Sequence, residues 1–226
     1  MAANGVAAMG ATIESEAVRI GARGLQAEWV RPARAIGLVV FAHGSGSRRG
    51  SPRNRFVAEV LHQHRLATLL FDLLSEDEAQ DRSKVFDIAL LAERLCEALD
   101  WLGERDGEAG QRRVGLFGAS TGAAAALQAA AELPGRVSAV VSRGGRADLA
   151  ASFLPRVQAP TLLIVGGADK QVLQLNRAAL RALRGAKRLE IVPNATHLFE
   201  EPGALDAVAH LAADWLVRHA EGGSLQ

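Results

Sequence analysis

A chain of 226 residues with 26 basic and 25 acidic side chains, net charge +1, is long enough to bury a substantial core but has no charge excess with which to hold nucleic acid or an anionic membrane. Its single cysteine, Cys96, excludes an internal disulfide framework and falls in an apolar helical pattern, so it reads as a small packing residue in a reducing, cytoplasmic setting. No apolar run approaches the roughly 18 residues of a spanning helix, and Met1 to Glu16 lacks the basic start and apolar stretch of a secretory signal. A soluble single domain is expected over 1–226, with its core at about 12–219 and ends that fray at 1–10 and 221–226.

Two alternating segments, Thr12 to Ile20 and Leu25 to Val30, flank Gly21 to Gly24 and predict an antiparallel hairpin at one sheet edge. After Pro32 the pattern changes to continuous apolar runs: Ile36 to Ala42, Leu66 to Phe71, Val114 to Phe117, Val137 to Val141, Thr161 to Val165 and Leu189 to Val192. Such runs suit strands covered on both faces. Helical patterns lie between them, the clearest being Ile88, Leu91, Leu95, Leu99 and Leu102 at spacings of three and four. Strand and helix alternating in this way predict an α/β fold, with a mostly parallel sheet and helices on both faces. Functional residues are then expected just beyond the carboxyl ends of the strands.

Gly118-Ala119-Ser120-Thr121-Gly122 stands where the strand ending at Phe117 runs into an Ala-rich helix, Ala123 to Leu133. A serine at a sharp strand-to-helix turn needs very small neighbours two residues to either side, which Gly118 and Gly122 supply. To attack a carbonyl, Ser120 needs an imidazole to take its proton and a carboxylate to orient that imidazole. Asp169 follows the strand Thr161 to Val165, and His197 follows Leu189 to Val192, so both are candidates. Either alone could equally be a turn former, a helix cap or an incidental loop residue; the order Ser, Asp, His at successive strand ends favours a triad. After the first parallel strand comes His43-Gly44-Ser45-Gly46, a flexible loop able to aim backbone N–H groups at an oxyanion. Ser45 and Thr121 are the expected donors, with Gly44 and Gly46 beside the substrate; one such donor is typically worth roughly 3 kcal/mol. His43 itself reads as a strand-end residue ordering the loop.

Through His43-Gly44-Ser45-Gly46, Gly118-Ala119-Ser120-Thr121-Gly122, Gly167-Ala168-Asp169 and Thr196-His197, the chain resembles the α/β-hydrolase superfamily, and within it the small dienelactone-hydrolase-like members. The resemblance spans about Ile36 to Leu216. It implies a three-layer α/β-hydrolase fold with Ser120, His197 and Asp169 as nucleophile, base and acid, an oxyanion hole at Ser45 and Thr121, and a small ester or lactone as substrate. Dienelactone hydrolases carry Cys at the elbow, where this chain has Ser120. Family members often insert a helical lid between the strands read here as Val137 to Val141 and Thr161 to Val165. Ser142 to Pro160 leaves room only for a short helix near Ala147 to Phe153, so no large lid domain is expected.

Arg48, Arg49, Arg53 and Arg55 follow the oxyanion loop, and Arg143 and Arg146 follow the strand beside the elbow. A carboxylate-bearing substrate would suit them, with Arg146 the foremost candidate; the competing reading pairs them with acids such as Asp72 and Asp148. A dinucleotide site fails because Arg49 stands where a third glycine belongs. His62 and His64, two apart on a helix, point to different faces and make no metal site, while His210 and His219 read as ordinary helix residues. No cofactor or metal is expected, and neither nucleic acid nor membrane as partner. Monomer and homodimer stay open, as do acyl transfer by the same triad and a non-catalytic small-molecule-binding role for the fold.

Overall fold

The computed structural model describes residues 13–105 and 113–220; Thr12 and the two ends expected to fray lie outside them. Eight strands form one sheet in the order β1-β2-β4-β3-β5-β6-β7-β8. β1 (Ile13–Ile20) and β2 (Leu25–Pro32) make the edge hairpin, and β2 pairs antiparallel with β4 (Leu66–Phe71). The remaining neighbours, β3 (Gly37–Ala42), β5 (Val114–Ala119), β6 (Val137–Arg143), β7 (Thr161–Gly166) and β8 (Lys187–Val192), are all parallel.

Side-chain alternation explains why the central strands are apolar at every position. Val40, Leu116, Val140 and Leu163 point to the face covered by α3 (Ile88–Arg105) and α4 (Thr121–Glu132). Val39, Phe41, Phe117, Val141, Leu162 and Ile164 point to the face covered by α1 (Pro52–Gln63) and α6 (Ala204–Ala220). Both faces are buried, so each of these strand residues removes apolar surface from water. Phe41 and Phe117 lie directly opposite in register, with ring centroids 4.9 Å apart. In α4 every residue from Thr121 to Ala131 is buried; alanine and glycine let its backbone sit close to the strands, since larger side chains would hold it away. α5 (Lys170–Ala182) packs beside β7.

Three local differences from the sequence-based expectation have physical causes. β8 is the sheet edge, and only Val192 along it is buried, because no strand lies beyond it. The short helix expected near Ala147 to Phe153 is a 3-10 turn over Ala147–Ala150, followed by another over Leu154–Arg156. Between β4 and α3, a 3-10 turn at Glu78–Gln80 and the single-turn α2 (Arg82–Val85) form a small cap. Arg94 ties that cap to α3: its guanidinium, 1% exposed, pairs with Glu78 at 3.4 Å, Glu97 at 3.2 Å and Glu93 at 3.6 Å. Cys96 is half-buried on α3, where burial and then the Glu132 and Asp100 carboxylates push its thiol up to about 12, so it stays protonated and packs as expected.

Candidate active site

Ser120 joins β5 to α4 with φ 51° and ψ −119°, a conformation that costs a non-glycine residue energy. Three backbone hydrogen bonds hold it there. Its N–H donates to the Arg143 carbonyl at 3.1 Å, and its own carbonyl accepts from the N–H groups of Ala123 and Arg146, each at 3.1 Å. The flanking glycines are steric requirements. A Cβ on Gly118 would lie 2.4 Å from Ala123 Cα, and one on Gly122 would lie 2.2 Å from the Ala42 carbonyl oxygen. The helix can start directly above the β3 loop only because both are absent.

Asp169 is at once the N-cap of α5 and the partner of His197. Its Oδ1 accepts from the Val172 N–H at 3.3 Å, while its Oδ2 accepts from His197 Nδ1 at 2.7 Å. The capping bond fixes the carboxylate, and the carboxylate fixes the tautomer with hydrogen on Nδ1, leaving Nε2 free to accept a proton. The loop carrying His197 is tethered by the Thr196 N–H, which donates to Glu201 Oε1 at 3.0 Å. Ser120, Asp169 and His197 line one cavity of about 220 Å³ together with Arg146, Gln171 and Val172. The Ser120 hydroxyl and His197 line this cavity without a direct hydrogen bond between them.

The loop after β3 packs over the start of α4. Ser45 N–H donates to Thr121 Oγ1 at 2.9 Å, and Thr121, the first residue of α4, has a backbone N–H that the helix cannot use. Ser45 and Thr121 therefore meet, through a side-chain bond that their spacing in the sequence does not reveal. The loop is anchored at its far end by Asp72, which accepts from the Arg49 N–H at 2.9 Å and also pairs with the Arg49 guanidinium. Across the loop from the elbow lies a second cavity of about 260 Å³, with His43, Gly44, Ser45, Gly46, Ser47 and Arg48 on one side and Leu74, Ala79, Val85 and Leu91 as an apolar floor.

His43 orders this loop from below. Its Nε2 accepts the Leu73 N–H at 3.0 Å and its Nδ1 faces the Gly44 carbonyl at 3.1 Å, which assigns the hydrogen to Nδ1. Burial lowers its pKa below the ordinary 6.5 despite the opposing Gly44 contact and the Asp72 charge. The unfolded chain then binds a proton that the folded chain refuses, so this contribution to stability is full above about 6.5 and is lost as pH falls below it. The melting temperature is expected to fall between pH 7.5 and pH 5, and the fall is expected to be smaller in His43→Asn.

The arginines separate into paired and unpaired. Arg146, on the wall of the triad cavity, is held by a two-pronged contact to Asp148 at 2.8 and 2.7 Å. Arg48 pairs with Glu76, Arg53 with Glu200 and Arg55 with Glu28. Arg143 is buried with no carboxylate in reach among the described residues. The sequence placed Arg143 and Arg146 together after β6 with Arg146 ranked first, and the reading that paired the arginines with Asp72 and Asp148 is the one found for Arg49 and Arg146; Gln171 and Val172 on the cavity wall were missed. Strand alternation was the one signal that could have separated the two arginines: Arg143 continues the face of Ala139 and Val141, whereas Arg146 lies beyond the strand. His62 bonds Thr68, His64 bonds the Val60 carbonyl and His210 the Asp206 carbonyl. No group of three or more metal-binding side chains occurs among the described residues.

The sheet order, the strained serine between strand and helix, and the Asp–His pair beyond β7 and β8 define an α/β-hydrolase fold. Residues 67–220 match the Dienelactone hydrolase family, and the chain belongs to that family. A crystal structure of dienelactone hydrolase from Anabaena variabilis is 55% identical, covering 92% of this chain and 98% of that one with a TM-score of 0.86. Est1E from Butyrivibrio proteoclasticus shares the fold at 15% identity, covering 90% of this chain and 98% of its own, with a TM-score of 0.75. Two Mycobacterium tuberculosis proteins, each named "Putative phosphoribosyl transferase", are 57% identical over 188 residues, 83% of this chain. The chain spans 42% of the length of those curated relatives.

Proposed function

We propose that this chain is a serine hydrolase that cleaves carboxylic esters or lactones through an acyl-enzyme. The observation that carries the reading is the 2.7 Å contact of His197 Nδ1 with Asp169 Oδ2 in the cavity that also holds Ser120. In this mechanism His197 Nε2 takes the Ser120 proton as Oγ attacks the carbonyl carbon, and Asp169 stabilises the resulting imidazolium. The developing oxyanion takes the Thr121 N–H and displaces the Thr121 hydroxyl as acceptor of the Ser45 N–H. His197 then gives its proton to the leaving alkoxide, and water reverses the sequence to release the acid. These steps draw on the side chains and backbone N–H groups named and on water.

The absence of a large insertion between β6 and β7 and the apolar floor beyond Ser45 favour compact acyl or alcohol groups. The name phosphoribosyl transferase belongs to proteins more than twice the length of the matched stretch, and we assign to this stretch the hydrolytic chemistry of the elbow. No helix among the described residues is long and apolar enough to cross a membrane. The test is covalent trapping: a fluorophosphonate is expected to add once per chain by intact mass, and not to Ser120→Ala. A folded wild-type protein that takes up none would refute an activated Ser120.

A further inference from the structure

Strand β6 ends at Arg143 and is followed by two consecutive glycines, Gly144 and Gly145. Neither position accepts a side chain. Gly144 has φ 53°, and a Cβ on it would lie 3.4 Å from both Cε1 and Nδ1 of His197; a Cβ on Gly145 would lie 2.0 Å from Ser142 Oγ. The glycines let the loop pass directly against the His197 ring, and they leave it with little conformational restraint of its own. Yet this loop also fixes Ser120. The Arg143 carbonyl takes the Ser120 N–H and the Arg146 N–H donates to the Ser120 carbonyl, each at 3.1 Å, so residues 143–146 grip the strained serine on both sides of its backbone.

The restraint comes from β7 and α5. The Gly144 N–H donates to the Ile164 carbonyl at 2.8 Å, and the Gly145 carbonyl is held by Asn176, a fully buried residue of α5. Asn176 Nδ2 lies 2.8 Å from the Gly145 carbonyl oxygen and 2.8 Å from that of Val172. Two carbonyl acceptors at one atom identify it as the amide nitrogen, and its two hydrogens serve one each. Among the described residues, no other side chain bonds the backbone of residues 144–146. Val172 is also the residue whose N–H Asp169 accepts, at 3.3 Å. One amide thus joins the turn of α5 that fixes Asp169 to the loop that grips Ser120 and lies against His197.

We propose that Asn176 is a positioning residue that holds the Gly144–Gly145 loop in register with the start of α5, and so keeps Ser120, His197 and Asp169 in one mutual geometry. It is not among the residues of the cavity wall and acts through the Gly145 carbonyl. Misplacing a reacting group by about 1 Å can cost on the order of 100-fold in rate, whereas one hydrogen bond contributes modestly to stability. Loss of the Gly145 bond therefore lowers activity out of proportion to stability. The effect on turnover rests on the Ser120 hydrolase reading; the coupling of Asn176 to His197 does not.

The test is Asn176→Thr. A hydroxyl in mid-helix donates its single hydrogen to the carbonyl four residues back, here Val172, so the bond within α5 survives and the bond to Gly145 is lost. Asn176→Ser, which removes the same bond with no branch to clash, carries the test should the threonine variant not fold. Ala179→Gly is the control: it loosens α5 from another buried position and leaves Asn176 intact. Urea midpoints give stability, p-nitrophenyl ester turnover gives kcat and KM, and intact mass gives the rate of fluorophosphonate labelling. In the Ser120→Ala background, NMR of 15N-histidine-labelled protein gives the solvent-exchange rate of the His197 Nδ1 proton. Asn176→Thr is expected to lower kcat and labelling rate, and to speed that exchange, by about tenfold or more, with KM changed by less than about threefold. Ala179→Gly is expected to leave all of these within about twofold, even with an equal or larger drop in urea midpoint. An unchanged Nδ1 exchange, an unchanged kcat in an active enzyme, or losses that Ala179→Gly reproduces at equal stability each overturns the role of Asn176, even where fluorophosphonate labels Ser120. Faster exchange in a protein that fluorophosphonate never labels would keep Asn176 as the holder of His197 and remove the hydrolase reading.

Discussion

Ser120→Ala, His197→Ala and the double variant are expected to lose turnover to a similar extent, each by about 10⁴- to 10⁶-fold. In the proposed mechanism proton transfer and attack are one event. An alanine at 120 leaves His197 with nothing to deprotonate, and an alanine at 197 leaves a hydroxyl with an unperturbed, very high pKa. Asp169→Asn is expected to cost less than either, because the 2.7 Å contact orients and stabilises the imidazole without touching substrate. Its cap bond to Val172 can be kept by an asparagine oxygen, so that loss would report on the imidazole and not on α5. Turnover of a p-nitrophenyl ester across the four proteins is the measurement. Small losses that add in the double variant would mean that the two residues do not act as a unit.

Much of this site was legible because parallel sheets hide both faces of their strands. Continuous apolar runs marked the strands, and the strand ends then marked Ser120, Asp169 and His197. The boundaries read short at the carboxyl ends: β5 runs to Ala119 and β6 to Arg143. Gly118, Ala119, Ser142 and Arg143 look like turn or surface residues, yet they continue the ladder into the site. The cap over residues 73–87 was not legible, since its Ser-, Asp- and Glu-rich stretch has neither helical nor strand periodicity and is organised by Arg94 and Glu78 across the chain. Nor could the sequence show that Asp72 anchors the loop after β3 through the Arg49 N–H, or that Arg143 finds no acid among the described residues while Arg146 does take Asp148, one of the acids it offered. Those facts depend on which long side chains reach which partners, and spacing along the chain does not encode reach. β8 misread for the opposite reason: an edge strand can carry apolar residues that remain partly exposed.

The other large effect belongs to a residue with no side chain. A methyl group at Gly122 would sit 2.2 Å from the Ala42 carbonyl oxygen and 2.5 Å from that of His43, both backbone atoms that cannot swing aside as a flexible side chain could. The clash forces α4 away from the end of β3, and α4 is buried along almost its whole length, so the movement opens the core on one side of the sheet. Overpacking of this kind costs about 1–3 kcal/mol where side chains can adjust, and backbone against backbone places Gly122→Ala at about 3 kcal/mol or more. The same displacement separates Ser45 from Thr121, whose 2.9 Å bond spans the gap being widened. Gly122→Ala is therefore expected to lower the denaturation midpoint sharply and, in whatever fraction folds, to cut kcat more than it raises KM. Gly135→Ala is the matched comparison, because a Cβ there meets nothing within 4 Å. Urea unfolding of the two variants decides the matter: equal midpoints would show that the β3 loop yields to a methyl group, and that the elbow's geometry is held by something other than this contact.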